Sequence, residues 1–251
     1  MADELVNRGV VYLTYKIHVA LPNQCIHCLK VVPDITADHV FPRAWYPDTT
    51  PANMEKWQAP ACRDCNATYG RLEEEILLKL GICLDSDAPA SSGIGQKALD
   101  AMNYAKGRSE KDASIRHRKA LQLLSRSVSI PGQLKPEFIE VLNSGPANLG
   151  TSISRKDLDR IAEKIVRGVI WVHLQEVVDE RCVIKVSSSP KPNPEFDALT
   201  IQNGVRYDRG PGFTVYWARP PEDPICGYFL MKFFDRIDLR ATVLPRSPEQ
   251  G

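Results

Sequence analysis

Two short cysteine pairs, Cys25 with Cys28 and Cys62 with Cys65, constrain this chain more than any other feature. Each pair has the Cys-x-x-Cys spacing that presents two thiolates to one metal ion, and two such pairs complete a tetrahedral zinc site. Because four thiolates leave no open coordination position, the zinc would be structural. It would stabilise a segment that is too short to build a hydrophobic core of its own. We therefore predict a structural zinc site at these four cysteines.

Between the two cysteine pairs lies Asp38-His39, the one place in the sequence where an acidic residue adjoins a histidine. A carboxylate can hold a hard divalent ion that also binds a phosphate oxygen. A neutral imidazole can take a proton from water and so produce a nucleophile. The alternative is a surface aspartate beside a histidine that packs against the first cysteine pair. The residues alone leave both interpretations open.

The stretch from about residue 22 to residue 82 resembles the HNH family of nucleases, the zinc-supported branch of the ββα-metal fold. The resemblance rests on the two cysteine pairs, on the run Asp38-His-Val-Phe-Pro-Arg43, on Asn53, and on Asn66 directly after the last cysteine. It implies a zinc-bound module of two strands and a helix that hydrolyses DNA phosphodiester bonds. RNA is left open as an alternative substrate.

The resemblance also implies a role for each matching residue. His39 would be the general base, and Asp38 would be a ligand of a catalytic Mg²⁺ or Mn²⁺ ion. Asn66 would be the second ligand of that ion, and Asn53 would shape the loop and help to orient the base. The competing hypothesis, from another class of protein, is a non-catalytic zinc-ribbon module that binds nucleic acid or a protein partner.

Hydrophobic periodicity and turn residues predict an α+β protein in three regions. The first, residues 1–85, is a zinc-bound domain, which the HNH resemblance implies to be a nuclease. Residues 86–95 are a linker, and residues 96–251 are a helical then β-rich domain of unknown role. The predicted helices cover residues 66–80, 96–106, 110–126, 136–142 and 154–178, with Asn66 as the N-cap of the first. The predicted strands cover residues 8–20, 183–186, 213–217, 228–234 and 241–244.

Charge is spread unevenly along the chain. The formal net charge is only +1, yet the stretch from Gln96 to Lys135 contains nine basic residues and three acidic ones. Lysine and arginine side chains that neutralise phosphates give proteins sequence-independent affinity for DNA. A solvated helix surface explains the same charges equally well. The segment is therefore either a DNA contact or an ordinary charged surface.

Composition is that of a globular protein, with 43% hydrophobic and 25% charged residues. No apolar run approaches the roughly 18 residues of a membrane span, and the acidic first residues lack the pattern of a signal peptide. The Cys-x-x-Cys spacing suits metal binding in a reducing compartment. We therefore expect a cytoplasmic protein with DNA as its partner and no membrane association. A homodimer, or a larger complex formed through the C-terminal domain, is left open.

Overall fold

The computed structural model describes residues 20–126, 128–129, 149–187 and 193–246. In chain order they form β1 (Ile35–His39), β2 (Gln58–Cys62), α1 (Arg63–Gly81), α2 (Ile94–Met102), α3 (Glu110–Arg126), β3 (Val128–Ser129), β4 (Leu149–Gly150), α4 (Arg155–Leu174), β5 (Cys182–Ser187), α5 (Pro194–Asn203), β6 (Val205–Asp208), β7 (Phe213–Ala218), β8 (Gly227–Phe233) and β9 (Ile237–Pro245). This mixture confirms the α+β class. The predicted helix over residues 136–142 lies outside the described residues. So does the predicted strand over residues 8–20, except for residue 20.

The cysteine-rich segment folds as two strands followed by a helix. β1 pairs antiparallel with β2, and α1 begins at the residue after β2 ends. The cap of α1 is Cys62, whose Sγ accepts a hydrogen bond from the backbone N–H of Cys65 at 3.4 Å. The prediction of Asn66 as the N-cap is therefore wrong, because a sulfur acceptor four residues earlier already satisfies a free N–H of the first turn.

The C-terminal part is built around a five-stranded antiparallel sheet with the strand order β5-β9-β8-β7-β6. Four of these strands coincide with the predicted ones, because they contain runs in which β-branched and aromatic residues are frequent. The sequence analysis missed β6 and the helix α5. Only Thr200 is buried in α5, so its sequence carries little of the apolar periodicity on which helix prediction depends.

Helix α4 lies between the sheet and the cysteine-rich segment. It packs on β5 and β9 on one side and on β2 and α1 on the other. A Cβ atom added to Gly168 would lie 2.7 Å from both methyl carbons of Val40, so this glycine permits close approach of α4 to the residues after β1. The helix ends at Gln175, which adopts a left-handed conformation with φ of 58°.

A single hydrophobic cluster contains buried residues from both sides of the predicted linker, including Phe41, Trp45, Ile165 and Phe213. Within residues 86–95 the chain forms a short 3-10 helix at Pro89–Ser91 and then enters α2. The division of the chain into independently folding domains stays a prediction. The sites described below depend on packing between the two parts.

Candidate functional site

The four predicted zinc ligands lie together in the structure. The Sγ atoms of Cys25, Cys28, Cys62 and Cys65 are all within 4.8 Å of one another, and those of Cys28 and Cys62 are 3.8 Å apart. A tetrahedral zinc with Zn–S bonds of about 2.3 Å separates its sulfur ligands by about 3.8 Å. The cluster can therefore hold a metal ion such as zinc.

Local backbone structure brings these sulfurs together. The first pair lies in a turn in which the Leu29 N–H donates to the Cys25 carbonyl oxygen at 2.9 Å and Leu29 has a φ of 64°. The second pair spans the end of β2 and the first turn of α1, because Cys62 caps the helix. Burial and the neighbouring thiols raise the pKa of Cys28 and Cys65. The charge of a bound cation is therefore needed to hold all four groups as thiolates at neutral pH.

Asp38 is buried in a network of charged and polar groups. Its Oδ1 lies 3.0 Å from Lys164 Nζ, and its Oδ2 lies 3.2 Å from His27 Nε2. Lys164 Nζ also donates to the His39 carbonyl oxygen at 2.6 Å and to Glu73 Oε1. Lys164 is only 1% exposed and Asp38 only 6%. Both carboxylate oxygens of Asp38 are thus engaged by side chains of the protein itself.

The electrostatics of this network favour a charged Asp38. Burial by itself would raise the pKa of Asp38, but the hydrogen bond from His27 and the charge of Lys164 outweigh burial and lower it. Burial raises the pKa of Glu73 despite the same lysine. Burial also lowers the pKa of His27, so this histidine is a neutral donor to Asp38. The Asp38–Lys164 ion pair is therefore the charged centre of the network.

Asp38 and Asn66, the predicted ligands of a catalytic Mg²⁺ or Mn²⁺ ion, do not form an open cation site. Both oxygens of Asp38 have protein partners as described, whereas the contact of Asn66 with Thr36 Oγ1, at 3.0 Å, uses its amide nitrogen and not the oxygen that would bind an ion. In this arrangement the residues do not fit a divalent ion at Asp38.

The side chain of His39 lies in a different environment from that of Asp38. Successive side chains of a strand point to opposite faces, and Asp38 is buried whereas His39 is half-buried. His39 Nδ1 lies 3.4 Å from Nε2 of Gln58, its partner on β2. Burial, and then the charge of Arg43, lower the pKa of His39. Its imidazole is therefore neutral at neutral pH and half-open to solvent.

The predicted loop residue Asn53 is exposed in the segment between β1 and β2. Its role in orienting His39 stays a prediction, whereas Gln58 is the polar side chain that lies beside the imidazole. Sequence analysis attached no role to Gln58.

The sequence analysis also missed Lys164 and Glu73, and it gave His27 no role beyond lying inside the first cysteine pair. One available signal was the position of Lys164 on the apolar side of α4, near Ile161 and Ile165, both fully buried. A lysine in such a stripe is almost never buried without a charged partner. The sequence does not reveal which carboxylates, many residues away, supply that partner.

Compared with known proteins, the chain matches no family model, no curated protein and no solved structure. None of the helices in the described ranges is both long and apolar enough to cross a membrane. Any assignment of function therefore rests on the residues and the geometry described above.

Proposed function

We propose that this protein hydrolyses phosphodiester bonds in DNA as an HNH-type endonuclease, with His39 as the general base. The observation that supports the proposal most is the position of His39. A neutral, half-exposed imidazole stands at the end of β1, in a strand–strand–helix unit that also carries the four-cysteine cluster. A base that is neutral at neutral pH can accept a proton from water.

The surroundings of His39 suit this role. The side-chain amide of Gln58 lies at Nδ1, and a 180° flip of that amide exchanges its oxygen and nitrogen. With the oxygen accepting from Nδ1–H, Nε2 is left as the proton acceptor. Arg43 and Lys56 are close enough to act on the charge of His39. Their positive charges would attract the phosphate of a nucleic acid.

The Mg²⁺ or Mn²⁺ ion that the family resemblance implies is a separate part of the proposal. Such an ion would neutralise the scissile phosphate and stabilise the leaving oxygen. Asp38 and Asn66 are the residues implied for it, but both carboxylate oxygens of Asp38 already have partners in the protein. We therefore assign no step of the reaction to that ion.

Nicking of supercoiled plasmid DNA by the full-length, zinc-loaded protein tests the proposal. Wild-type protein should nick the plasmid, and His39→Ala should lose that activity while keeping its zinc content. His117→Ala is the matched control, since His117 is an exposed histidine on α3.

The assay is run with added Mg²⁺, with added Mn²⁺ and with neither ion. Equal nicking by wild type and His39→Ala would contradict the role of His39. Matched DNA and RNA oligonucleotides then identify the substrate.

A second candidate function is a non-catalytic zinc module that binds nucleic acid or a protein partner. The observation that favours it is the engagement of Asp38 by Lys164 and His27, which gives each carboxylate oxygen a partner within the protein. A gel-shift experiment separates the two functions. Binding of DNA without nicking under any ion condition supports the binding module, and nicking that depends on His39 supports the nuclease.

A further inference from the structure

We propose that the Lys164 ammonium occupies the cation position between β1 and α1, and that it excludes a divalent ion from Asp38. The ammonium contacts three oxygen atoms, which are Asp38 Oδ1, the His39 carbonyl oxygen and Glu73 Oε1. Two of these atoms belong to β1 and the third to α1. The inference concerns cation binding, so it holds whether or not the protein cleaves nucleic acid.

The partners of the ammonium have the chemistry of a cation site. Carboxylate and carbonyl oxygens are the ligands that hard divalent ions such as Mg²⁺ and Mn²⁺ select. An ammonium has three N–H donors, and Lys164 has three oxygen acceptors. Without a cation between them, the carboxylates of Asp38 and Glu73 would repel each other in a buried setting. A positive charge at this point removes that repulsion, and Lys164 supplies it.

The tertiary structure holds the ammonium in place. Lys164 is carried by α4, and its neighbours Ile161 and Ile165 are fully buried in the hydrophobic cluster. The close contact between Gly168 and Val40 keeps α4 against the residues that follow β1. An ion that displaced Lys164 from Asp38 would leave an ammonium buried without its partner, which is strongly unfavourable. Wild-type protein should therefore reject the ion.

Removal of the ammonium should convert the same place into a divalent site. In Lys164→Ala the carboxylates of Asp38 and Glu73 remain, together with the His39 carbonyl oxygen and a space where the lysine side chain was. We expect this variant to gain one Mn²⁺ ion per chain that wild-type protein does not bind. Asp38→Asn in the Lys164→Ala background should lose the new site.

Mn²⁺ binding is measured by electron paramagnetic resonance on full-length, zinc-loaded protein. The expected gain in Lys164→Ala is at least tenfold in affinity over wild type. Lys79→Ala is the matched control, because Lys79 is also buried and its Nζ lies 2.9 Å from Glu75 Oε1. Its loss exposes one carboxylate rather than two, so Lys79→Ala should gain no such site. A folded, zinc-loaded Lys164→Ala protein that binds no more Mn²⁺ than wild type would overturn the inference.

A measurement on wild-type protein needs no substitution at all. Substoichiometric Mn²⁺ broadens the amide resonances of residues close to the bound ion. The resonances of Asp38 and His39 should stay sharp in wild-type protein, because the Lys164 ammonium keeps the ion away from Asp38. Selective broadening of these two resonances, abolished by Asp38→Asn, would show that Asp38 binds the ion and that Lys164 does not exclude it. This result is independent of nuclease activity, so failure of the cation inference and failure of the proposed function are distinguished.

Discussion

Lys164 Nζ and Asp38 Oδ1 lie 3.0 Å apart, although the two residues are separated by 126 positions in the chain. This ion pair connects α4, which also packs on the five-stranded sheet, to β1, the strand whose last residue is the candidate base His39. Because the lysine also holds the carbonyl oxygen of His39, the position of that residue depends on a helix outside the cysteine-rich segment. The candidate site is therefore a product of both parts of the chain.

Loss of the buried ammonium should strongly destabilise the protein. Lys164→Met keeps most of the side-chain volume but leaves the Asp38 carboxylate buried without its cation. Breaking a buried pair in this way costs about 3–5 kcal/mol. Urea unfolding of the zinc-loaded protein measures the change in the free energy of unfolding.

The control for that measurement is Lys232→Met, since Lys232 pairs with Asp238 at 3.2 Å where both side chains are about a third exposed. A pair at the surface contributes roughly 0–1 kcal/mol. Similar decreases in the free energy of unfolding of the two variants would contradict the buried status of the Asp38–Lys164 pair.

Zinc binding should depend on the cysteine cluster and not on His39. Cys62→Ser removes a sulfur ligand and the acceptor that caps α1, so both zinc content and the fold of the strand–strand–helix unit should be lost. His39→Ala should retain one zinc ion per chain. Elemental analysis and far-UV circular dichroism measure the two effects, and Cys182→Ser, remote from the cluster in sequence, is the control. Loss of zinc in His39→Ala would show that the structural and reactive residues have been divided wrongly.

His39 should titrate below the ordinary histidine value of 6.5. Burial and the charge of Arg43 lower its pKa, so the folded protein favours the neutral imidazole over the protonated form that the unfolded chain adopts as pH falls through 6.5. Any contribution of His39 to stability is therefore present above that pH and decreases below it. Heteronuclear NMR of the imidazole gives the titration midpoint.

Arg43→Gln tests the cause of this shift. Removing a nearby positive charge should raise the midpoint of His39 towards 6.5, because protonation would no longer place two cations close together. A midpoint above 6.5 in wild-type protein would contradict the neutral base in the proposed function.

The exposed basic residues near α3 should contribute to DNA affinity. Arg108, Lys111 and Arg118 are all exposed, so their simultaneous replacement by glutamine should weaken binding. If each contacts one phosphate, the slope of log affinity against log salt should become shallower by about 0.9 per residue, or about 2.7 in total. Fluorescence anisotropy over a range of salt concentrations measures the slope.

The comparison set is Lys97, Lys106 and Lys119, whose ammonium groups lie within 2.7 Å of Asp48, Asp100 and Glu74. Because a carboxylate already partners each of them, their replacement should change the slope less. An unchanged slope in the first triple variant would exclude this face from DNA contact.

The contact between α4 and the residues after β1 should tolerate no added atoms. Gly168→Ala places a methyl group 2.7 Å from the side chain of Val40, and overpacking of this kind costs about 1–3 kcal/mol. Gly70→Ala on α1 is the control, because its added Cβ would meet no atom within 4 Å beyond the adjacent residues and the backbone of the helix itself. That control should stabilise the helix by about 0.5–1 kcal/mol. Thermal unfolding should show a lower melting temperature than wild type for Gly168→Ala and a higher one for Gly70→Ala.

Local patterns in the sequence were sufficient for much of the fold. Cysteine spacing predicted the cluster of four sulfurs, apolar periodicity predicted α1 and α4, and β-branched and aromatic runs predicted four strands of the large sheet. Each of these features depends on residues that are close along the chain, where spacing and backbone geometry are directly related. They gave no bounds for β1 or β2. A unit of two strands and a helix around His39 was implied only by the resemblance to the HNH family.

Only the tertiary structure decided what surrounds Asp38. The sequence presents this aspartate as a candidate ligand of a divalent ion, and the fold pairs it with Lys164 and His27. The physical reason is that a buried carboxylate must find a cation, and here the cation is delivered by α4, whose position depends on packing against both β2 and the C-terminal sheet. No pattern within either segment specifies that packing, so the partner of Asp38 became known only when α4 was placed.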